Sequence, residues 1–391
     1  MEHFKYFIVG GGMTADAAVS GIRSVDATGS IALVSTESDK PYDRPPLSKG
    51  LWSGKTIDSI WRKTEEQNVA LFLGRTITEI RPETKIAIDS EGLRYSWDKL
   101  LLATGSSPRR LPFGDDQIIY FRTLADYRRL RSVAEKSERI AVIGGGFIGS
   151  EIAAALAKNG KKVTMIFPGP DIASRVFPSD LSKFVSALYQ QKGVQMLPGS
   201  KVEGMEQRGH ELILRTNTRQ EITVDGVVAG IGVEPRVKLA EGAGLKTGDG
   251  IVVDEFLRTT TPDIYAAGDV ANFNSPALGK RLRVEHEDNA NSMGKLAGRN
   301  MAGANEEYTH LPMFYSDLFE LGYEAVGELD SRLETVVDWK EPNKEGVIYY
   351  LHEGRVRGVL LWNVWEQVDA ARALISEAGP FRAENLKGRI G

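Results

Sequence analysis

One pattern constrains this chain more than any other, because it occurs twice. An apolar run, a glycine turn and an alanine-rich stretch of helical period appear at residues 6–22 and again at 139–158. The turns read Gly10-Gly11-Gly12-Met13-Thr14-Ala15 and Gly144-Gly145-Gly146-Phe147-Ile148-Gly149, and both fit G-x-G-x-x-G/A. In such a turn the first glycine permits a tight bend, the second lets the backbone approach a pyrophosphate, and the third position, here Ala15 or Gly149, lets helix and strand pack closely. The helix N-terminus then offers N–H donors to the phosphates. A single copy is weak support, since structural glycine turns imitate it. Two copies, each leading into a helix of about three turns and a second strand (Ser30 to Val34, and Lys162 to Phe167), predict two β-α-β dinucleotide-binding units.

At 391 residues the chain is too long for one ordinary core, so two or three domains are expected. Hydrophobic residues make up 41% and charged residues 26%, the balance of a globular protein with a sizeable core. A formal charge of -4, with no long run of Lys and Arg, argues against nucleic acid as a partner. The absence of cysteine excludes disulfide staples, thiolate metal sites and a redox dithiol, and no metal site is expected. Met1 leads almost at once into the apolar Tyr6-Phe7-Ile8-Val9, with no secretory pattern ahead of it. The apolar runs fall short of the roughly 20 residues a membrane span needs. The expected location is the cytoplasm.

The strand Lys99-Leu100-Leu101-Leu102 ends on Ala103-Thr104-Gly105, and Pro108 blocks its continuation, so the chain is expected to leave its first domain there. A comparable strand, Val227-Val228-Ala229, runs into Gly230-Ile231-Gly232 before a second crossing, and Ile264-Tyr265-Ala266-Ala267-Gly268-Asp269 marks the return. From about residue 309 the texture changes. Gly346 to Leu351 and Val359 to Trp362 read as paired strands, and Trp365 to Ala378 as a helix. The expected division is 1–112 with 243–308 as a discontinuous first domain, 113–242 as an inserted second one, and 309–391 as a C-terminal α+β domain.

Several side chains suit a bound dinucleotide. An acid closing the second strand of each unit is expected to accept hydrogen bonds from a ribose. The first copy offers Glu37, equally readable as an acid in a solvated loop because Ser35 and Thr36 intervene. The second copy runs into Phe167-Pro168-Gly169-Pro170-Asp171, with no acid at the usual place and Arg175 further on. That removes a repulsion against a 2′-phosphate without building a phosphate clamp, so NADH is favoured and NADPH stays open. In Pro41-Tyr42-Asp43-Arg44-Pro45-Pro46-Leu47-Ser48-Lys49, three prolines reduce the entropy lost in fixing Arg44 and Lys49, which otherwise read as solvated loop charges. Asp269, delivered by a strand of small residues, suits a ribityl hydroxyl or is a plain turn acid.

With these residues in place the chain resembles the flavin-dependent pyridine-nucleotide oxidoreductases, within them the ferredoxin-reductase-like branch, and most of all the apoptosis-inducing factors. The signals of the branch are Arg44-Pro45-Pro46-Leu47-Ser48-Lys49, Leu102-Ala103-Thr104-Gly105, Gly144 to Glu151, and Ala267-Gly268-Asp269. The narrower match rests on Arg283-Val284-Glu285-His286, Met313 to Leu318, Gly322 to Gly327, and Gly346-Val347-Ile348 onward to Leu361-Trp362-Asn363.

The resemblance implies an α/β fold with two Rossmann-type domains of glutathione-reductase type plus the C-terminal domain, FAD in the first and NAD(H) in the second, with NADP(H) not excluded. It implies that Lys49 and Glu151 form an ion pair beside the flavin, also readable as an interdomain salt bridge. It makes Phe147 an aromatic gate over the isoalloxazine, also readable as packing against a turn. Glu285, His286 and Glu324 match positions near the nicotinamide, although a lone histidine is commonly structural. Tyr315 stands where the nearest relatives have tryptophan, and Thr36 where they have an acid. Gly10, Gly12, Ala15, Ala103, Thr104 and Gly105 would line FAD, and Gly144, Gly146, Ile148, Gly149 and Gly232 the nicotinamide dinucleotide.

The chain lacks the leader of those relatives and their long insertion before Gly346. The implied activity is hydride transfer from NAD(P)H to FAD, with electrons passed directly, for want of a dithiol, to a ferredoxin- or rubredoxin-like carrier, to dioxygen or to quinone. The alternative is a redox-controlled binding protein whose reduced flavin and NAD+ form a long-lived charge-transfer complex that shifts dimerisation. The resemblance also allows a homodimer, placing Arg281 and Arg283 near its surface, although the two read more readily as solvated charges.

Overall fold

The computed structural model describes residues 1–390. The fold is mixed α/β, with parallel sheets in the nucleotide-binding parts and an antiparallel sheet at the C-terminal end, the expected class. By compactness the chain forms two units: Met1–Arg44, Thr56–Ser107 and Glu234–Pro312 make the first, and Pro45–Lys55, Pro108–Val233 and Met313–Gly391 the second.

The first unit is built on strands ordered Ala70–Leu73, Ile31–Ser35, Glu2–Val9, Arg94–Leu102, Ile86–Asp89, Ile77–Arg81. Glu2–Val9 pairs in parallel with Ile31–Ser35 on one side and Arg94–Leu102 on the other. Arg94–Leu102 is long enough to serve two partners: its start pairs antiparallel with Ile86–Asp89, and its end pairs in parallel with Ile264–Ala266, the returning strand. Where the parallel strands are covered on both faces they are apolar: Phe7, Ile8, Leu33 and Leu100 to Leu102 are fully buried. The glycine turn then leads into the Met13–Arg23 helix, which packs along the Glu287–Met301 helix.

The second unit repeats the plan with an all-parallel sheet ordered Gln195–Leu197, Lys162–Ile166, Arg139–Ile143, Gly226–Ala229, Ile118–Tyr120. Its glycine turn starts the Phe147–Lys158 helix. A three-stranded antiparallel sheet (Val202–Arg208, Glu211–Thr216, Glu221–Val224) and the C-terminal sheet belong to the same unit. In the latter, Met313–Leu318 is the edge strand, followed by Leu321–Gly327, Arg355–Trp362, Glu345–His352 and Glu334–Glu341, all antiparallel. The strands expected at 346–351 and 359–362 pair with each other here, and the helix expected over 365–378 runs Val368–Ser376. Among the described residues no helix is long and apolar enough to cross a membrane.

Candidate functional site

The two glycine turns share one geometry. Gly10 (φ +133°) and Gly144 (φ +119°) lie in the backbone region that favours glycine, and a Cβ on either would fall 2.1 Å from the Ala103 carbonyl oxygen or 2.3 Å from that of Gly230. At the third position Ala15 is fully buried, and a Cβ on Gly149 would fall 2.2 Å from the Gly144 carbonyl oxygen. The middle glycines differ. A Cβ on Gly146 would meet nothing within 4 Å, and one on Gly12 only the tip of Arg44 at 3.8 Å. The protein therefore crowds the outer positions and leaves room beside the middle ones, the arrangement a pyrophosphate needs. Neither helix N-terminus is satisfied by a side-chain cap, so its N–H groups remain available to an anion. On these observations both turns fit a dinucleotide.

In the first unit Glu37 is not a solvated loop acid. It accepts hydrogen bonds from the Tyr42 hydroxyl (2.5 Å) and from Arg44, whose guanidinium also lies 5.0 Å from the Tyr42 ring centre. Burial raises its pKa, but the charge of Arg44 and the two hydrogen bonds outweigh it, and the carboxyl ends below its ordinary value. Nearby, the buried Asp269 accepts from Ser106 Oγ at 2.9 Å. The Thr104 hydroxyl donates to the Arg236 carbonyl at 3.0 Å, and the Gly105 carbonyl accepts from Arg236 N–H. Ala103 is buried beneath Gly10.

His286 caps the Glu287–Met301 helix by position. Burial lowers its pKa to about 4, against the charges of Asp269 and Asp288, so the ring is neutral at neutral pH. Glu285 is exposed and pairs with Arg283, which also bonds Asp249 at 2.8 Å and the Asp269 carbonyl at 3.1 Å. Arg283 is largely buried among these partners, whereas Arg281 is exposed but tied to Asn272 and the Val253 carbonyl.

The second unit gathers several predicted residues around the N-terminal part of the Phe147–Lys158 helix. Lys49 Nζ lies 2.6 Å from Glu151 Oε1 and 5.1 Å from the Tyr315 ring centre. Both partners of the pair lie within this one unit. Glu151 is 4% exposed, Lys49 is mostly buried, and Tyr315 is 37% exposed. Phe147 stacks at a tilt on Phe314, with ring centres 5.2 Å apart, and Ile148 is exposed beside it. Glu324 faces Tyr315 across the sheet. Burial raises its pKa against a hydrogen bond from the Glu366 backbone, and its Oε2 is buried without a partner. Gly232 (φ +95°) lies elsewhere in this unit, its carbonyl accepting from Arg109 N–H.

Two residues at this centre escape sequence reasoning. Ser48 Oγ donates to Glu151 Oε2 at 2.5 Å, and Ser316 Oγ donates to Oε1 at 2.6 Å. Ser48 stands next to the singled-out Lys49 and Ser316 next to Tyr315, but a serine carries no signal of its own.

The model of the family described as pyridine nucleotide-disulphide oxidoreductase matches residues 4–294. The chain belongs to this family. It is an oxidoreductase whose cofactors are FAD and NAD(H). A second model, described as the C-terminal part of the mitochondrion-associated apoptosis-inducing factor, matches residues 297–345 and 337–377. Among relatives, apoptosis-inducing factor 1 of Dictyostelium discoideum is 33% identical over 96% of this chain and 79% of that protein. Putidaredoxin reductase of Pseudomonas putida is 31% identical over 97% of this chain and 93% of that protein. The solved structure of a covalent putidaredoxin reductase–putidaredoxin complex superposes with a TM-score of 0.89 at 30% identity, covering 96% of this chain and 93% of that one. The resemblance to the ferredoxin-reductase-like branch and to the apoptosis-inducing factors therefore stands. The disulphide in the family's description has no counterpart here, because the chain has no cysteine.

Proposed function

We propose that this oxidoreductase takes hydride from NADH onto FAD and hands the electrons to a small ferredoxin-like protein. The observation that carries the reading is that Phe147, Glu151 and, through Glu151, Lys49 are fixed to the N-terminal part of the same helix whose N-terminus forms the second dinucleotide cradle. A nucleotide seated there brings its reactive end to an aromatic side chain and a held cation. Support for the acceptor comes from relatives: the ferredoxin–NAD(+) reductase component of the anthranilate 1,2-dioxygenase system of Burkholderia cepacia is 33% identical over 96% of this chain.

Bound FAD supplies two-electron acceptance and one-electron release. The protein's task is alignment and charge. Gly10, Gly12 and Ala15 hold the FAD pyrophosphate, Glu37 with Arg44 binds its adenosine end, Asp269 its ribityl chain, and Ala103 to Gly105 lie close to it. Gly144, Gly146, Ile148 and Gly149 receive NADH, and Gly232 lets the backbone come near it. Phe147 and Tyr315 would align the nicotinamide, and Glu324, whose buried Oε2 lacks a partner, would offer it an acceptor. Lys49 places positive charge where the flavin gains electrons. In the first unit, neutral His286 and Glu285 are not required to abstract a proton. In this reading residues 309–391 act as a third domain serving the flavin, and the chain works in the cytoplasm.

The test is anaerobic mixing of FAD-loaded protein with NADH and, separately, NADPH, followed by an oxidised ferredoxin or air. Rapid bleaching with NADH, slower bleaching with NADPH and prompt reoxidation by the ferredoxin are expected. No bleaching with either nucleotide refutes the hydride step. A long-wavelength band that outlasts both oxidants replaces turnover with the redox-controlled binding role, which the match to the apoptosis-inducing factor C-terminal model favours.

A further inference from the structure

Glu151 is a meeting point of three stretches far apart in sequence. Ser48 and Lys49 come from 45–55, Glu151 from 108–233, and Ser316 from 313–391, all within the second unit. Its two oxygens are used unequally. Oε2 takes the Ser48 hydroxyl alone, whereas Oε1 is shared between the Lys49 ammonium and the Ser316 hydroxyl, both at 2.6 Å. Ser316 is 1% exposed, so its hydroxyl turns to the carboxylate rather than to solvent. The adjacent residue of the same edge strand, Tyr315, lays its ring against Lys49. Successive strand residues point to opposite sides, and this strand grips the ion pair from both: the ring on the cation, the hydroxyl on the anion.

A hydrogen bond to a carboxylate oxygen draws on the same lone-pair density that an ammonium seeks. From this sharing we propose that Ser316 is a positioning residue for Lys49: by occupying Glu151 Oε1 it limits how firmly the ammonium is bound there and leaves Lys49 able to serve a second anionic partner. The inference rests on the reading that this partner is the electron-gaining flavin. Ser48, on the other oxygen, orients the carboxylate and competes less.

The direct measurement is the acylation rate of Lys49 by acetic anhydride in the purified full-length protein, read by peptide mass spectrometry as a ratio to Lys63, whose side chain is 79% exposed. Ser316→Ala is expected to slow Lys49 labelling about three- to tenfold, because the carboxylate oxygen is left to the ammonium alone. Ser48→Ala is expected to change it less, and Ser316→Thr, which keeps the hydroxyl, to restore the parental ratio. If Ser316→Ala fails to fold, Ser316→Cys, close in size and a weak donor, carries the same expected slowing. An unchanged or raised ratio overturns the proposal. Reduction of bound flavin by NADH in Lys49→Met tests the underlying reading separately. A slowed reduction there with unchanged Ser316→Ala labelling removes the positioning role alone. Slowed labelling with unimpaired Lys49→Met removes the flavin reading alone.

Discussion

Replacing Glu151 by Gln keeps the shape of a nearly buried side chain and removes its charge. The carboxylate accepts from one ammonium and two hydroxyls, and its side chain is 3% exposed against 15% for Lys49. Removing one partner of a buried pair typically costs about 3–5 kcal/mol, since the other charge is left without compensation. Lys49 keeps a slight path to solvent and the Tyr315 ring, so the lower end applies, about 3 kcal/mol. In a domain of this size that corresponds to a fall in melting temperature of about 6–12 °C. The double variant Lys49→Met with Glu151→Leu removes both charges and fills their space, and is expected to recover most of the loss. Urea unfolding followed by tryptophan fluorescence, with thermal melts alongside, compares parent, single and double variants. A Glu151→Gln protein as stable as the parent, or a double variant as unstable as the single, refutes the argument that the pair is electrostatically interlocked in the fold.

Two further outcomes follow from the same geometry. Gly149→Ala would set a methyl group 2.2 Å from the Gly144 carbonyl oxygen, so it is expected to weaken NADH binding at least tenfold while bound FAD is retained, measured by flavin titration and by KM. For His286 the folded pKa of about 4 lies below the ordinary 6.5, so the unfolded chain binds the extra proton first. Its contribution is full above about pH 6.5 and is lost as pH falls through 4, and burial there makes it about 2–3 kcal/mol. Unfolding midpoints of parent and His286→Gln across pH 4–7 should converge at the acid end, and parallel curves would contradict this.

Much of the plan was legible because dinucleotide-binding turns obey a rule that operates locally: Gly10 and Gly144 need an unusual backbone angle and a missing Cβ, and both needs are written at fixed spacing. The parallel strands were equally plain, since burial on both faces makes their inner stretches, such as Tyr6 to Val9 and Leu100 to Leu102, continuously apolar. The sharing of Glu151 was not legible. Ser48 and Ser316 reach it from 103 and 165 residues away along the chain, and no periodicity records a long-range hydroxyl contact. The engagement of Glu37 was hidden for a related reason. It stands in a loop two positions beyond its strand, and only the turn of the Pro41–Arg44 stretch returns Tyr42 and Arg44 to it. Arg281 and Arg283 read as surface charges because their partners, Asn272, Val253 and Asp249, lie in strands and turns that sequence does not connect to them.

The Met13–Arg23 and Glu287–Met301 helices touch backbone to backbone: a Cβ on Gly294 would fall 2.3 Å from the Thr14 carbonyl oxygen, and one on Gly298 2.1 Å from that of Ala18. The helix that begins at the first cradle is thus seated on a helix encoded near the other end of the first unit, and the sheet beneath it also waits for the strand Ile264–Ala266. During synthesis, when chains emerge N-terminus first, the first cradle has its own strand and turn almost immediately but lacks its support until residue 301 has left the ribosome. On the proposed assignment of FAD to this cradle, its capture is a late event in the life of each molecule, and chains truncated before that point are expected to carry the complete G-x-G-x-x-A signature without a stable place to keep the cofactor.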